Sequence, residues 1–169
     1  MVINLKPVSV ENWYECTQLK VKTEQLNVFP APVVYWIAES KYVDDFELRA
    51  VYRDDDLVGF IVFCTKPDKD ENYWIPAIMI DEKYQGKGYG KAAMEKLIEL
   101  MSMMNCKRLM IGHRPNHQIA ECLYDSLGFK KVSEEVVDGE IIRLLQSCNK
   151  TIDCRHLSTV FLTLTDTIA

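Results

Sequence analysis

The sequence lacks any apolar run long enough to cross a bilayer. The longest, such as residues 57–64, fall far short of the ~20 residues a spanning helix needs. The first seven residues alternate apolar and polar side chains without a signal-peptide core, so no membrane contact and a cytoplasmic location are expected. An excess of positive charge is missing as well. Twenty Lys and Arg stand against 25 Asp and Glu, a net charge of −5. General nucleic-acid binding, which rests on neutralising phosphates, is therefore not expected. An acidic surface suits a cationic substrate and equally suits plain solubility. Cysteine pairing signals are also absent. None of the six cysteines (16, 64, 106, 122, 148 and 154) forms a Cys-x-x-Cys pair, and most read as small buried hydrophobes in a reducing compartment. Cys148, Cys154 and His156 are spaced unlike any standard zinc site, so no metal is expected.

What is present is a soluble globular composition, 48% hydrophobic and 27% charged over 169 residues, enough for one domain with a real core. Residues 2–8 alternate as a strand. Ser9 is placed to cap a helix over about 10–20, with Val10, Trp13, Tyr14 and Leu19 as its apolar positions. Two prolines break the chain before a short helix over 33–41. Residues 46–53 and 57–65 flank Asp54-Asp55-Asp56 as an antiparallel hairpin, and a charged loop leads to a third long strand over 73–80. Ala93, Leu97, Leu100, Met101 and Met104 then recur at helical spacing over about four turns. A short buried strand, 108–112, should run parallel to the third strand across that helix. A helix over 116–126 ends before Gly128, and strands 132–137 and 140–145 flank the hairpin signal Asp138-Gly139. The layout is α+β: a mixed, mostly antiparallel central sheet with one parallel β-α-β crossover and flanking helices. Residues 1–145 form the single domain. Residues 146–169 are a C-terminal extension whose alternating stretch 158–165 is expected to pair with a sheet edge, of this chain or of a partner subunit.

The segment Gln85-Gly86-Lys87-Gly88-Tyr89-Gly90-Lys91 lies between the third strand and the long helix. Its three glycines allow positive φ and close backbone approach to a ligand, and the helix start behind it points unpaired N–H groups at the loop. Together these make a cradle for a diphosphate, with Lys87 and Lys91 adding charge. The glycine spacing is not that of the dinucleotide fingerprint, and no Gly-Lys-Ser/Thr ending marks a nucleotide-triphosphate loop. Pro76, inside a central-looking strand, cannot donate to a ladder and marks a bulge or an exposed edge.

Gln85-Gly86-Lys87-Gly88-Tyr89-Gly90 resembles the Gln/Arg-x-x-Gly-x-Gly/Ala signature of the GNAT superfamily of N-acetyltransferases. Ala120-Glu-Cys-Leu-Tyr124-Asp-Ser-Leu-Gly-Phe129 is similar to that family's Ala-x-x-Leu-Tyr-x-x-x-Gly-Phe segment. Within the superfamily, residues 78–88 and Glu24-Gln25 most resemble bacterial spermine/spermidine (diamine) acetyltransferases. The resemblance implies acetyl-CoA as donor, pantetheine lying along the backbone of Ile78, Met79 and Ile80, and the diphosphate on the 85–91 loop. It further implies N-acetylation of a small primary amine, polyamines first, by direct attack in a ternary complex. Peptide or aminoglycoside acetylation, and a non-catalytic acyl-CoA sensor, are the alternatives. A homodimer is expected from the family.

Tyr124 is the expected catalytic acid, a phenol able to protonate the departing thiolate, with N–H groups near Met79 holding the oxyanion. Where relatives often carry a cofactor-contacting Asn, this chain has His117, preceded by Asn116, which either takes over the contact or caps the helix. His113 and His117 read as solvated or capping side chains. The general base is not legible. Glu24, Glu39, Asp70 and Glu71 are the acidic candidates near an acceptor, with Glu24, Glu39 and Glu71 taken as substrate-binding.

Overall fold

A computed structural model of the chain describes residues 2–29 and 31–146. In chain order the elements are β1 (Ile3–Pro7), α1 (Trp13–Thr17), α2 (Val33–Glu39), β2 (Phe46–Arg53), β3 (Asp56–Cys64), β4 (Tyr73–Ile75), β5 (Ala77–Ile80), α3 (Tyr89–Met103), β6 (Arg108–His113), α4 (Gln118–Ser126), β7 (Lys130–Val137) and β8 (Glu140–Gln146). No described helix is long and apolar enough to cross a membrane.

The nearly continuous apolar run of β3 reads as a strand covered on both faces, and its residues are buried on both. Ile61 and Phe63 pack with α3 and α4, in a cluster that includes Ala93, Met94, Leu97, Met101, Leu109, Ile111 and Tyr124. Phe60 and Val62 face the other way, onto Cys16 and Val33 of α1 and α2. Leu100 and Met104, on the same helical stripe as Leu97, lie at its half-buried margin.

The strand expected over 73–80 is two strands. Pro76 separates β4, which pairs in parallel with β6 (Tyr73↔Leu109 to Ile75↔Ile111), from β5, which pairs antiparallel with β3 (Ala77↔Val62 to Ile80↔Gly59). The mixed sheet is thus hydrogen-bonded as two four-stranded halves, β1-β2-β3-β5 and β4-β6-β8-β7. The missing N–H at Pro76 breaks the ladder where one half gives way to the other.

Local chemistry moved two boundaries and closed the last hairpin. The first helix begins at Trp13, not near residue 10, because Asn12 takes the Ser9 N–H on Oδ1 and donates Nδ2 to the Pro7 carbonyl, folding residues 9–12 back onto β1. Trp13 and Tyr14, expected to face inward, are consequently exposed while Cys16 is buried. Helix α4 starts at Gln118 with His117 in the cap position, so Asn116 lies outside it and is not its cap. Asp138 (φ 51°) and Gly139 (φ 83°) both take positive φ, the two-residue turn that closes β7 onto β8. The pairing expected for 158–165 lies outside the described residues.

Candidate active site

The break at Pro76 leaves one edge of β5 open. The N–H of Asp81 donates to the Val58 carbonyl, which fixes the alternation of the β3–β5 ladder. Met79 exchanges its bonds with Phe60, while the backbone groups of Ile78 and Ile80 point away from β3. Oxyanion donors near Met79 therefore have to be the N–H groups of Ile78 or Ile80, because the Met79 amide belongs to the ladder. Between this edge and β6 lies a cavity of about 600 Å³, lined by Ile75 to Ile80, by Ile111 to Arg114, and by Tyr124 and Leu123 of α4. Its size fits a small organic ligand or the arm of a larger one.

At one mouth of the cavity is the glycine loop. Asp81 Oδ1 accepts from the Lys83 N–H, starting the single turn Glu82–Tyr84 that delivers the chain to Gln85. Gly88 sits at φ +81° as the residue before α3. The first intrahelical bond runs from the Ala92 N–H to the Gly88 carbonyl, so the amides of Gly88, Tyr89, Gly90 and Lys91 have no partner within the helix, and no side chain caps them. Open space lies where Cβ atoms of Gly86 and Gly88 would be. Bare amides at the positive end of a four-turn dipole fit a diphosphate. Gly88→Val is expected to raise the Kd for acetyl-CoA by about 100-fold, near 2.7 kcal/mol, while far-UV circular dichroism shows a folded protein. Calorimetric titration of the variant checks this, and unchanged affinity would move the diphosphate elsewhere.

Of the sequence candidates, Ile78, Met79, Ile80, Gln85, Gly86, Gly88, Tyr89, Gly90, Lys91, His117 and Tyr124 share the cavity wall. Lys87 does not. Its Nζ bonds the Lys83 carbonyl at 3.2 Å and lies over the Tyr84 ring, drawing the side chain back from the loop mouth. Asn116 and Glu24 line an adjoining cavity of about 300 Å³, together with Gln25, Gln85 and His117. Glu39, Asp70 and Glu71 line neither cavity. Helix α2 turns Val33, Trp36 and Ile37 inward, with Glu39 off that face. Glu71 precedes Ile75 by four residues, about 13 Å of extended chain from where the strands part.

Tyr124 is 5% exposed, its ring packed between those of His113 and Phe129, each at 5.9 Å. Among the described residues its hydroxyl makes no hydrogen bond. Burial, and then the charge of Glu140, push its pKa well above the usual phenol value against an opposing effect of Arg143, so it holds its proton at every working pH. His113 is buried, contrary to the expectation of a solvated side chain. Its Nε2 accepts from Arg143 Nε at 2.9 Å and its Nδ1 meets the Arg114 carbonyl at 2.9 Å. Arg143, 1% exposed, also donates to Asp125 at 2.6 Å and Glu121 at 2.8 Å, tying β8 to α4. Among the described residues His117 Nε2 is buried without a partner, and desolvation, followed by the charge of His113, lowers its pKa.

Burial lifts the Cys16 and Cys64 thiols to about 11 and about 12, which keeps them protonated and inert at neutral pH. Cys122 departs from the buried expectation and is exposed on α4. The sequence reading missed His113, Arg114 and Glu140 as cavity residues, since cross-ladder neighbours carry no short-range signal.

A sheet parted at one strand, with a bare-amide loop at the mouth of the gap, offers room and hydrogen-bonding groups for an extended anionic ligand. The sequence model of the acetyltransferase (GNAT) family matches residues 9–129, and the chain belongs to this family. It is 32% identical over 146 residues to the spermine/spermidine N(1)-acetyltransferase of Bacillus subtilis (strain 168), a match covering 83% of this chain and 95% of that protein. Among solved structures it is similar in fold to spermidine N-acetyltransferase from Vibrio cholerae in complex with CoA and spermine (TM-score 0.70, 11% identity, covering 86% of this chain and 95% of that one). It is likewise similar to a Bacillus acetyltransferase in complex with CoA (TM-score 0.61, 19% identity, 85% and 97%). The protein is an acetyl-CoA-dependent N-acetyltransferase.

Proposed function

We infer that the acceptor is a polyamine and that its primary amine attacks the thioester directly. The observation that carries this reading is one cavity reached from both faces of the parted sheet. The glycine loop and α4 wall one side, and Val28 and Phe29, from the segment between α1 and α2, wall the other. Donor and acceptor can therefore meet without a covalent enzyme intermediate, and the buried Cys16 and Cys64 thiols stay protonated.

The acetyl donor supplies an activated thioester. This chain's part is to align it along Ile78 and Ile80, offer their N–H groups to the developing oxyanion, and return a proton from Tyr124 to the departing sulfur. A sensor that only binds acyl-CoA has no use for a buried phenol with a free hydroxyl at that place. The identity to a spermine/spermidine acetyltransferase over most of both chains favours polyamines. Glu24 lines the adjoining cavity, which supports its reading as the partner of a distal ammonium.

Release of free thiol from acetyl-CoA, followed across putrescine, spermidine, spermine, an amino-terminal peptide, a lysine peptide and an aminoglycoside, tests this. Spermidine or spermine is expected to exceed the peptides and the aminoglycoside by about 100-fold or more in kcat/KM. A peptide or aminoglycoside in first place would overturn the polyamine assignment.

A further inference from the structure

Glu140 is the first residue of β8, directly after the Asp138-Gly139 turn. Ile141 pairs with His113 and Ile142 with Gly112, so Glu140 stands at the cavity end of the β6–β8 ladder, opposite Arg114. Leu109 and Ile111 pack toward α3 and α4, which places Gly112 on the opposite face of the strand. The Glu140 carboxylate lies across Gly112, in the space that a Cβ at 112 would occupy. A bare backbone at this position is what admits the carboxylate to the cavity wall, and Glu140 is part of that wall. The carboxylate is near enough to Tyr124 for its charge to act on the phenol.

The surrounding cations are committed elsewhere. Arg114 Nη1 donates to the Gly139 carbonyl at 3.2 Å and to that of Asp138 at 3.4 Å. Arg143 is held by His113, Asp125 and Glu121. Among the described residues the Glu140 carboxylate has no hydrogen bond and no ion pair. A half-buried carboxylate with no direct ion pair among the described residues, on the cavity wall and within electrostatic reach of Tyr124, has the chemistry to receive an alkylammonium.

We propose that Glu140 is the general base of the transfer, resting on the N-acetyltransferase reading above. It binds the acceptor's ammonium and takes one of its three protons. The freed lone pair forms the C–N bond at the thioester carbonyl. As the carbonyl re-forms, the C–S bond breaks with its electron pair on sulfur, which takes the Tyr124 proton. The amide nitrogen then returns its surplus proton to the Tyr124 oxygen. The proton on Glu140 passes to solvent, leaving amide, free thiol and both side chains restored. The titratable and charged groups that share the cavity wall with it are Lys22, Tyr84, Tyr89 and Lys91 on one side and His113, Arg114, His117 and Tyr124 on the other, with Arg143 behind His113 on β8.

The test compares wild type, Glu140→Gln and Glu140→Asp by thiol release with spermidine between pH 6.5 and 9.5, with acetyl-CoA affinity measured in parallel. Glu140→Gln is expected to lose about 100-fold or more in kcat with acetyl-CoA affinity unchanged. Its residual rate should climb close to tenfold per pH unit as the fraction of neutral amine, of pKa ~10, increases. Glu140→Asp should recover part of the loss. A kcat for Glu140→Gln within about threefold of wild type, or a large loss with a rate indifferent to pH, would overturn the assignment. If Gln at 140 prevents folding, Glu140→Ala is read by the same two criteria. Wild type that acetylates no amine would instead remove the parent reading, so the two failures are distinguishable.

Discussion

Tyr124→Phe is expected to lower kcat by about 100- to 10,000-fold, the range for removing a positioned proton donor, while acetyl-CoA affinity and folding stay close to wild type. The ring is held by His113 and Phe129 at 5.9 Å on either side, and the substitution keeps that packing. Only the hydroxyl is removed, and among the described residues it bonds to nothing, so its loss strands no buried partner. The raised pKa, caused mainly by burial, keeps the group protonated, as the proposed acid role requires. Steady-state kinetics beside a thermal melt check this. An unchanged kcat would mean that the thiolate leaves unprotonated or takes its proton from water.

The second large effect is on stability. Arg143→Ala is expected to cost about 3–5 kcal/mol, as for breaking other buried charge networks, toward the lower end because Asp125 and Glu121 reach solvent. Three consequences combine: the His113 Nε2 loses its donor inside the core, the apolar stem of Arg143 leaves a void, and β8 loses its ties to α4. Since α4 carries Tyr124 and β8 carries Glu140, residual folded protein should also be impaired in turnover. Urea denaturation gives the stability difference. A cost below about 1 kcal/mol, the worth of an ordinary surface pair, would show that this network does not join the two elements.

What could be read from the sequence was local. The glycine loop, the Asp138-Gly139 turn and the stripe of Ala93, Leu97 and Met101 each depend on residues within a few positions of one another, and each is present as expected. Pro76 was legible for the same reason, because a residue without an N–H cannot donate to a ladder. The acidic side of the site was not legible. Glu24, Glu39, Asp70 and Glu71 were candidates by composition, whereas Glu140 comes to the cavity through the β6–β8 register and the missing side chain at Gly112, 28 residues earlier in the chain. His113 and Arg143 define each other's environment in the same way, across a ladder that no short window reveals. Asn12 shortened the first helix by hydrogen bonds to Ser9 and Pro7 that compete with the helical ones.

In the reading proposed here, the open edge of β5 and the loop before α3 together hold the acetyl donor. A crystal structure of the protein with coenzyme A is the decisive test. Diphosphate oxygens are expected within hydrogen-bond distance of the amides between Gly86 and Lys91, and the pantetheine chain bonded to the backbone of Ile78 and Ile80, with its sulfur near the Tyr124 hydroxyl. A diphosphate bound away from those amides, or a thiol end remote from Tyr124, would contradict it.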